Sequence, residues 1–223
     1  MSAPTSDIEH EKRIAAEAAA QLVENGMTVG LGTGSTVAYV LPALAARGLA
    51  LRCVATSLAT EHGARELGME IVSFAGLDAP ARLDVTIDGA DQVAPSGWLV
   101  KGGGAAHTRE KAVAAAADRF VVIVSSDKLV ERLAPPIPVE LAEFGLAATL
   151  RHLQPVRLRD VPRSPDAGVI ADYDGEFDDP DALAARLSAT IGVVEHGLFP
   201  AAMVADVLIG RGDEVERMTP PAT

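Results

Sequence analysis

Short apolar runs alternate with helix-forming stretches along the first 133 residues, and several of these runs end in glycine-, threonine- or aspartate-rich loops. Apolar runs of this length, set between helices, read as strands buried on both faces of a parallel sheet with helices on either side. A helix is predicted over residues 8–23, stopped by Asn25-Gly26, and a strand over 27–31 that runs into the glycine loop 30–36. A helix then reaches about Leu44, with Pro42 as a kink or a limit. Strands at 51–55, 70–74, 83–87 and 120–124 follow, with a helix at 60–67 closed by Gly68 and another ending near Asp118; residues 98–100 lead into a run of glycines.

The pattern changes after Leu133. Residues 134–138, Ala-Pro-Pro-Ile-Pro, read as a stiff connector. Beyond it come a helix at 146–153, strands at 156–159 and 169–171, a helix at 180–191 and a strand at 193–198. The order suggests a small α+β module over 134–203, with 204–209 returning to the large sheet. The expected division is therefore 1–133 plus 204–223 for an α/β domain, and 134–203 for the smaller one.

Charge narrows the partners. The 31 acidic and 19 basic residues of this 223-residue chain leave a formal charge of −12, which repels nucleic-acid phosphates and anionic membranes. A small phosphorylated metabolite is still admissible where a few donors converge. Cys53 is alone, so no internal disulfide and no cysteine-based zinc site is possible. The five histidines show no ligand spacing, the first residues lack the pattern of a signal peptide, and no apolar stretch is long enough to span a bilayer. The expectation is a reduced, cytoplasmic protein.

Three loops carry the candidate chemistry, and ligands of open α/β sheets bind at the carboxyl ends of strands. The first is Gly30-Leu31-Gly32-Thr33-Gly34-Ser35-Thr36. Its glycines allow close backbone approach, and the following helix offers N–H groups to an anion. It fails as a dinucleotide fingerprint, because Ser35 stands where a glycine is needed, and as a P-loop, because no lysine follows. A tight turn with a Ser/Thr cap is the competing reading. The second loop, Asp88-Gly89-Ala90-Asp91, suits a hydroxylated substrate or a divalent metal, or is an Asp-rich turn; no third metal ligand is evident nearby. The third, Lys101-Gly102-Gly103-Gly104 through Lys111, weakens any regular element, so close approach to a ligand is its natural justification. Glu110 falls in the first turn of the next helix, where simple dipole complementarity would also place an acid. His107 reads as structural.

Together the stretches VGLGTGSTV (29–37), TIDGADQV (86–93) and LVKGGGAAHTREK (99–111) resemble the type A ribose-5-phosphate isomerases, in order and spacing. Weaker matches, SSDKLV, PIPVEL, GVVEHGLF and ADVLIG, extend the resemblance over nearly the whole chain. The resemblance implies a Rossmann-like α/β domain with a smaller α+β domain, no cofactor and no metal, a sugar-phosphate substrate, and a homodimer or homotetramer. It places the general base on Glu110, the paired acids on Asp88 and Asp91, and the active-site lysine on Lys101. Substrate contacts fall on Thr33, Gly34, Ser35 and Thr36, on Gly89 and Ala90, on Gly102, Gly103 and Gly104, and on Lys128. An N-terminal lysine that reaches the phosphate matches Lys12. The chain departs from the family at 157–167 and at 171–176, where Ala-Asp-Tyr-Asp-Gly-Glu replaces Thr-Asp-Asn-Gly-Asn. Both departures are expected to bear on subunit contacts and closure more than on the chemistry.

Aldose–ketose isomerisation moves a proton between adjacent carbons through an enediolate, which needs one carboxylate base and a cation at the carbonyl oxygen. Rival readings are a sugar-phosphate deaminase or lactonase on a related fold, a non-catalytic sugar-phosphate sensor, and a nicotinamide oxidoreductase. The deaminase would rely on histidine near the loops, where only His107 lies; the sensor could dispense with Glu110 or Lys101; the oxidoreductase lacks its fingerprint.

Overall fold

The computed structural model describes residues 5–221. Its large sheet contains β1 (Thr28–Leu31), β2 (Arg52–Ala55), β3 (Glu70–Ile71), β4 (Val85–Asp88), β7 (Phe120–Ser125), β13 (Val204–Arg211) and β14 (Glu214–Met218). The strand order is β14-β13-β7-β4-β1-β2-β3, parallel throughout except for β14. Strand β7, FVVIVS, is buried at every position, as a central strand covered on both faces must be. Helices α1 (Thr5–Ala20), α2 (Val37–Ala45), α3 (Leu58–Glu66) and α4 (His107–Ala115) cover this sheet. In α1 it is alanine that faces the core: Ala15, Ala16, Ala19 and Ala20 are fully buried. The small side chains bring the helix close to β7 and β13.

Four strands form a second, antiparallel sheet in the order β11-β8-β10-β9: β8 (Ile137–Leu141), β9 (Val156–Leu158), β10 (Val169–Tyr173) and β11 (Val193–His196). Helices α5 (Leu146–Leu153) and α6 (Pro180–Ala189) accompany it, α6 being capped by Asp179, which accepts from the Asp181 and Ala182 N–H groups. Residues 137–138, read from sequence as part of a connector, instead open β8, which is buried along its length. A proline lacks the ladder donor but keeps its acceptor, and the Pro138 carbonyl accepts the Gly197 N–H at 2.7 Å. The expected strand at 193–198 divides: β11 joins the second sheet, while β12 (Leu198–Phe199) pairs with β6 (Leu99–Val100) in a third.

That third sheet, β12-β6-β5 with β5 at Gln92–Val93, is short and antiparallel. It has a large consequence. The β5–β6 hairpin pairs Gln92 with Val100, so the chain that leaves Asp91 returns beside it at Lys101. Backbone bonds from Asp91 N–H to the Val100 carbonyl and from Lys101 N–H to the Gly197 carbonyl, both 2.8 Å, fix that return.

Candidate active site

The strand order reverses direction between β1 and β4, and a crevice opens at the carboxyl ends of strands where such a reversal occurs. The loops after β1 and β4 meet there. A cavity of about 140 Å³ is lined by Thr33, Gly34, Ser35 and Thr36, by Gly89, Ala90 and Asp91, by Lys101, Gly102, Gly103 and Gly104, and by Glu110 and Lys128. Every residue of that lining is among those singled out from sequence. Asp88 lies directly beneath, fully buried. Lys12 is not part of the lining; its ammonium pairs with Glu9 at 2.6 Å. His107 is buried outside the cavity, and burial pushes its pKa down to about 4, so its ring is neutral. Wider cavities exist, including one of about 590 Å³ beside Arg52 and Glu70, but the residues singled out from sequence do not line it.

Asp88 is the floor of the site. Its Oδ1 accepts the Gly89 N–H at 2.7 Å and the Thr33 N–H at 3.1 Å, and its Oδ2 stands 2.9 Å from Lys101 Nζ. The same ammonium donates to the Gly89 carbonyl at 2.6 Å and lies 3.1 Å from Glu110 Oε2. All three side chains are less than 5% exposed. Burial is the largest single influence on each. It raises the Asp88 pKa, opposed by Lys101 and the backbone N–H groups. It pushes Glu110 up to about 8, with Lys101 pulling the other way and Asp88 adding to the rise. For Lys101, burial favours loss of the proton, but Asp88 and Glu110 outweigh it and hold the ammonium charged. The Lys101 ammonium also sits 5.4 Å from the centroid of the Phe199 ring.

Gly32 is bare because Asp88 needs the space: a Cβ there would stand 2.0 Å from the Asp88 carboxyl. Gly32→Ala therefore displaces Asp88 from its two N–H donors. The expected result is a fall in kcat/KM of about a hundredfold from misplacement, with about 1–3 kcal/mol of lost stability from overpacking. Steady-state kinetics and thermal melts on the variant check both; an unchanged kcat/KM refutes the role given to this contact.

The phosphate end of the cavity has different chemistry. Thr36 is the N-cap of α2 yet makes no side-chain capping bond, which leaves its hydroxyl, with that of the exposed Ser35, open to a ligand. The Thr33 hydroxyl is already joined to Thr56 Oγ1 at 2.8 Å, and Thr60 Oγ1 holds the Gly32 carbonyl at 2.8 Å. Thr56 and Thr60 were not singled out from sequence; a hydroxyl residue just past a strand end, as Thr56 is past β2, was the available signal. Lys128 is partly exposed and lies 3.3 Å from Asp127. Asp91 is exposed at the rim, its Oδ2 accepting the Gly103 N–H at 2.7 Å.

The divergent segments are not peripheral. Arg159, held by Asp172, donates to the glycine loop, and Ser164 and Thr108 both donate to the buried Glu140, tying the start of α4 to the second sheet. Residues of the departing segments thus reach the glycine loop and the buried Glu140.

The family model for ribose 5-phosphate isomerase A (phosphoriboisomerase A) matches residues 52–214. The chain belongs to that family. It is 46% identical to ribose-5-phosphate isomerase A of Caulobacter vibrioides, covering 94% of this chain and 98% of the relative, and 45% identical to that of Halobacterium salinarum, covering 94% and 96%. Among solved structures, ribose 5-phosphate isomerase A from Neisseria gonorrhoeae superposes with a TM-score of 0.89 at 31% identity, over 96% of this chain and 98% of that one. A D-ribose-5-phosphate isomerase in complex with phospho-erythronic acid gives 0.88 at 32% identity, over 95% and 99%. Members of the family share the α/β architecture found here, and the loop at 30–36, which precedes the matched span, lies within the chain length these relatives cover.

Proposed function

We propose that this chain interconverts ribose 5-phosphate and ribulose 5-phosphate through an enediolate, with Glu110 as the proton-transferring base. The observation that carries the assignment is the placement of one buried carboxylate and one buried ammonium, 3.1 Å apart, in the wall of a cavity whose other end presents hydroxyls and a helix N-terminus. Glu110 takes the proton from C2 of the open-chain aldose and returns it to C1. Lys101 faces the oxygen on which negative charge grows, where a fixed cation in a dry site lowers the barrier most. The two aspartates, interchangeable in the sequence, are distinguished by burial. Asp88 has one oxygen occupied by backbone donors and the other turned to Lys101, so it holds the lysine. Asp91 is exposed at the rim and is the acid able to reach a ring oxygen or hydroxyl. Ser35, Thr36, the start of α2 and Lys128 receive the phosphate.

The test is turnover of ribose 5-phosphate by the purified protein across pH. The base must be ionised, and burial favours its protonated form, so kcat/KM should rise with pH and level off above about 8. A profile flat between about pH 6 and 9 would remove Glu110 from the role. No turnover, with saturable binding of the sugar phosphate, would favour a sensor.

Two assignments accompany this reading. Residues 134–203 form the smaller α+β unit, supported by the separate sheet made of β8 to β11. A homodimer or homotetramer, following the family resemblance, would cover Phe144 and Ile191, which are 97% and 92% exposed. Among the described residues no helix is long and apolar enough to cross a membrane.

A further inference from the structure

A triple glycine has no conformation of its own to defend, and ordering each residue costs about 1–2 kcal/mol in backbone entropy. Something outside the loop must impose its shape. Gly102 has φ +103°, and a Cβ on it would meet Pro138 at 2.8 Å and His107 Nδ1 at 2.7 Å, so one face of the loop lies flat against β8 and α4. Above it stands Arg159, just past β9. Its Nε and Nη2 are spent on the two carboxylate oxygens of Asp172, at 2.6 to 3.0 Å. Its Nη1 is left to donate to the carbonyls of Gly102 at 2.8 Å and Gly103 at 3.2 Å. Both side chains are largely buried, at 15% and 6% exposure.

A trans peptide unit is planar, with its C=O and N–H pointing in opposite directions. The unit whose carbonyl belongs to Gly102 therefore carries the Gly103 N–H on its far side, and that N–H is the donor to Asp91 Oδ2 at 2.7 Å. The next unit, held through the Gly103 carbonyl, turns the Gly104 N–H away from Arg159, on the side where Gly104 lines the cavity. One guanidinium thus holds two consecutive peptides, the Gly102 carbonyl being shared with the Ala105 N–H at 3.0 Å and the Gly103 carbonyl accepting from Arg159 at 3.2 Å. The first presents its N–H to Asp91; the second belongs to a residue that lines the cavity.

We infer that Arg159, locked by Asp172, is a positioning residue for the isomerisation, acting through the peptides of the glycine loop without touching the substrate. This inference rests on the reading of the site given above. A lysine cannot substitute, because a single ammonium lacks the planar fork that binds a carboxylate and two carbonyls at once.

The experiment compares wild type with Arg159→Lys, Arg159→Ala and the double variant Arg159→Met/Asp172→Leu, in which no buried carboxylate is left unpaired should the single variants fail to fold. Two quantities are read on folded protein: KM for ribose 5-phosphate and Kd for phospho-erythronic acid. Loss of folded molecules alone lowers kcat and leaves both unchanged. Loss of loop order raises both, by about tenfold, the equivalent of re-ordering roughly one glycine on each binding event. Millimolar guanidinium chloride should partly restore Arg159→Ala, whose Asp172 still offers the seat, and should not restore the double variant. Unchanged KM and Kd in the folded variants overturn the inference. If the wild type itself neither turns over nor binds these ligands, the functional reading fails instead.

Discussion

Glu110→Gln should lower kcat by about a hundred- to ten-thousand-fold, the usual contribution of a positioned general base. The substitution is nearly isosteric, so the cavity, Lys101 and Asp88 stay in place while the transferable proton site is lost. Stability provides an internal control. Burial raises the Glu110 pKa to about 8 from the ordinary carboxylate value. A carboxyl raised in the folded state contributes stability that is complete below the unfolded pKa and is lost as pH climbs towards the folded one. Glutamine has nothing to lose over that range. The variant's melting temperature, relative to wild type, should therefore rise from about pH 4.5 towards pH 8. An inactive protein whose relative stability moves this way has lost chemistry and kept its fold. Retention of most of the wild-type kcat would move the base to another residue, with Asp91 next in line.

Lys101→Met has the second large effect, and here it falls on stability as well as rate. Removing the ammonium leaves Asp88 and Glu110 buried together without their shared cation, and breaking a buried ion cluster by deleting one partner costs about 3–5 kcal/mol. The sign with pH follows from the same geometry. Lys101 lowers both carboxyl pKa values against the rise that burial imposes. Without it both move further up, so the deficit should be small in acid, where the two groups are protonated, and should grow as pH rises through neutrality. Denaturant titrations at an acidic and a mildly alkaline pH measure the difference. Equal stability of variant and wild type at alkaline pH would mean that the three groups do not share one electrostatic site. The rate should also fall, because no other buried cation faces the growing oxyanion in the described cavity.

The contrast between these two variants depends on burial, a property that the local sequence around Glu110 does not express. Read alone, an acid in the first turn of a helix is accounted for by the helix dipole. Only the packing of α4 against the loops after β1 and β4 turns it inward, 3% exposed, towards a lysine nine positions earlier in the chain.

What the sequence determined by itself is the set of loops and their order. Glycine, serine, threonine and aspartate at the ends of apolar runs are local signals, and a parallel sheet puts the ends of its strands on one edge, so residues 33–36 and 89–91 were bound to meet if the runs were strands, whereas 101–104 follow β6 of the third sheet and reach that edge only through the β5–β6 hairpin. Strand β8 escaped because Pro138 within it, after Pro135 and Pro136 just before it, resembles a linker, while its partners, near residues 170 and 195, are distant in the chain. The tertiary structure alone decided which aspartate is the floor and which the rim, because that depends on the β5–β6 register returning Lys101 above Asp88. It also decided that Arg159, 56 and 57 residues from the carbonyls it holds, belongs to the site. Local pattern encodes backbone conformation and donors. Burial, pairing and the sharing of a proton among buried groups arise from contacts between segments far apart in the chain, and these exist only once the sheets have assembled.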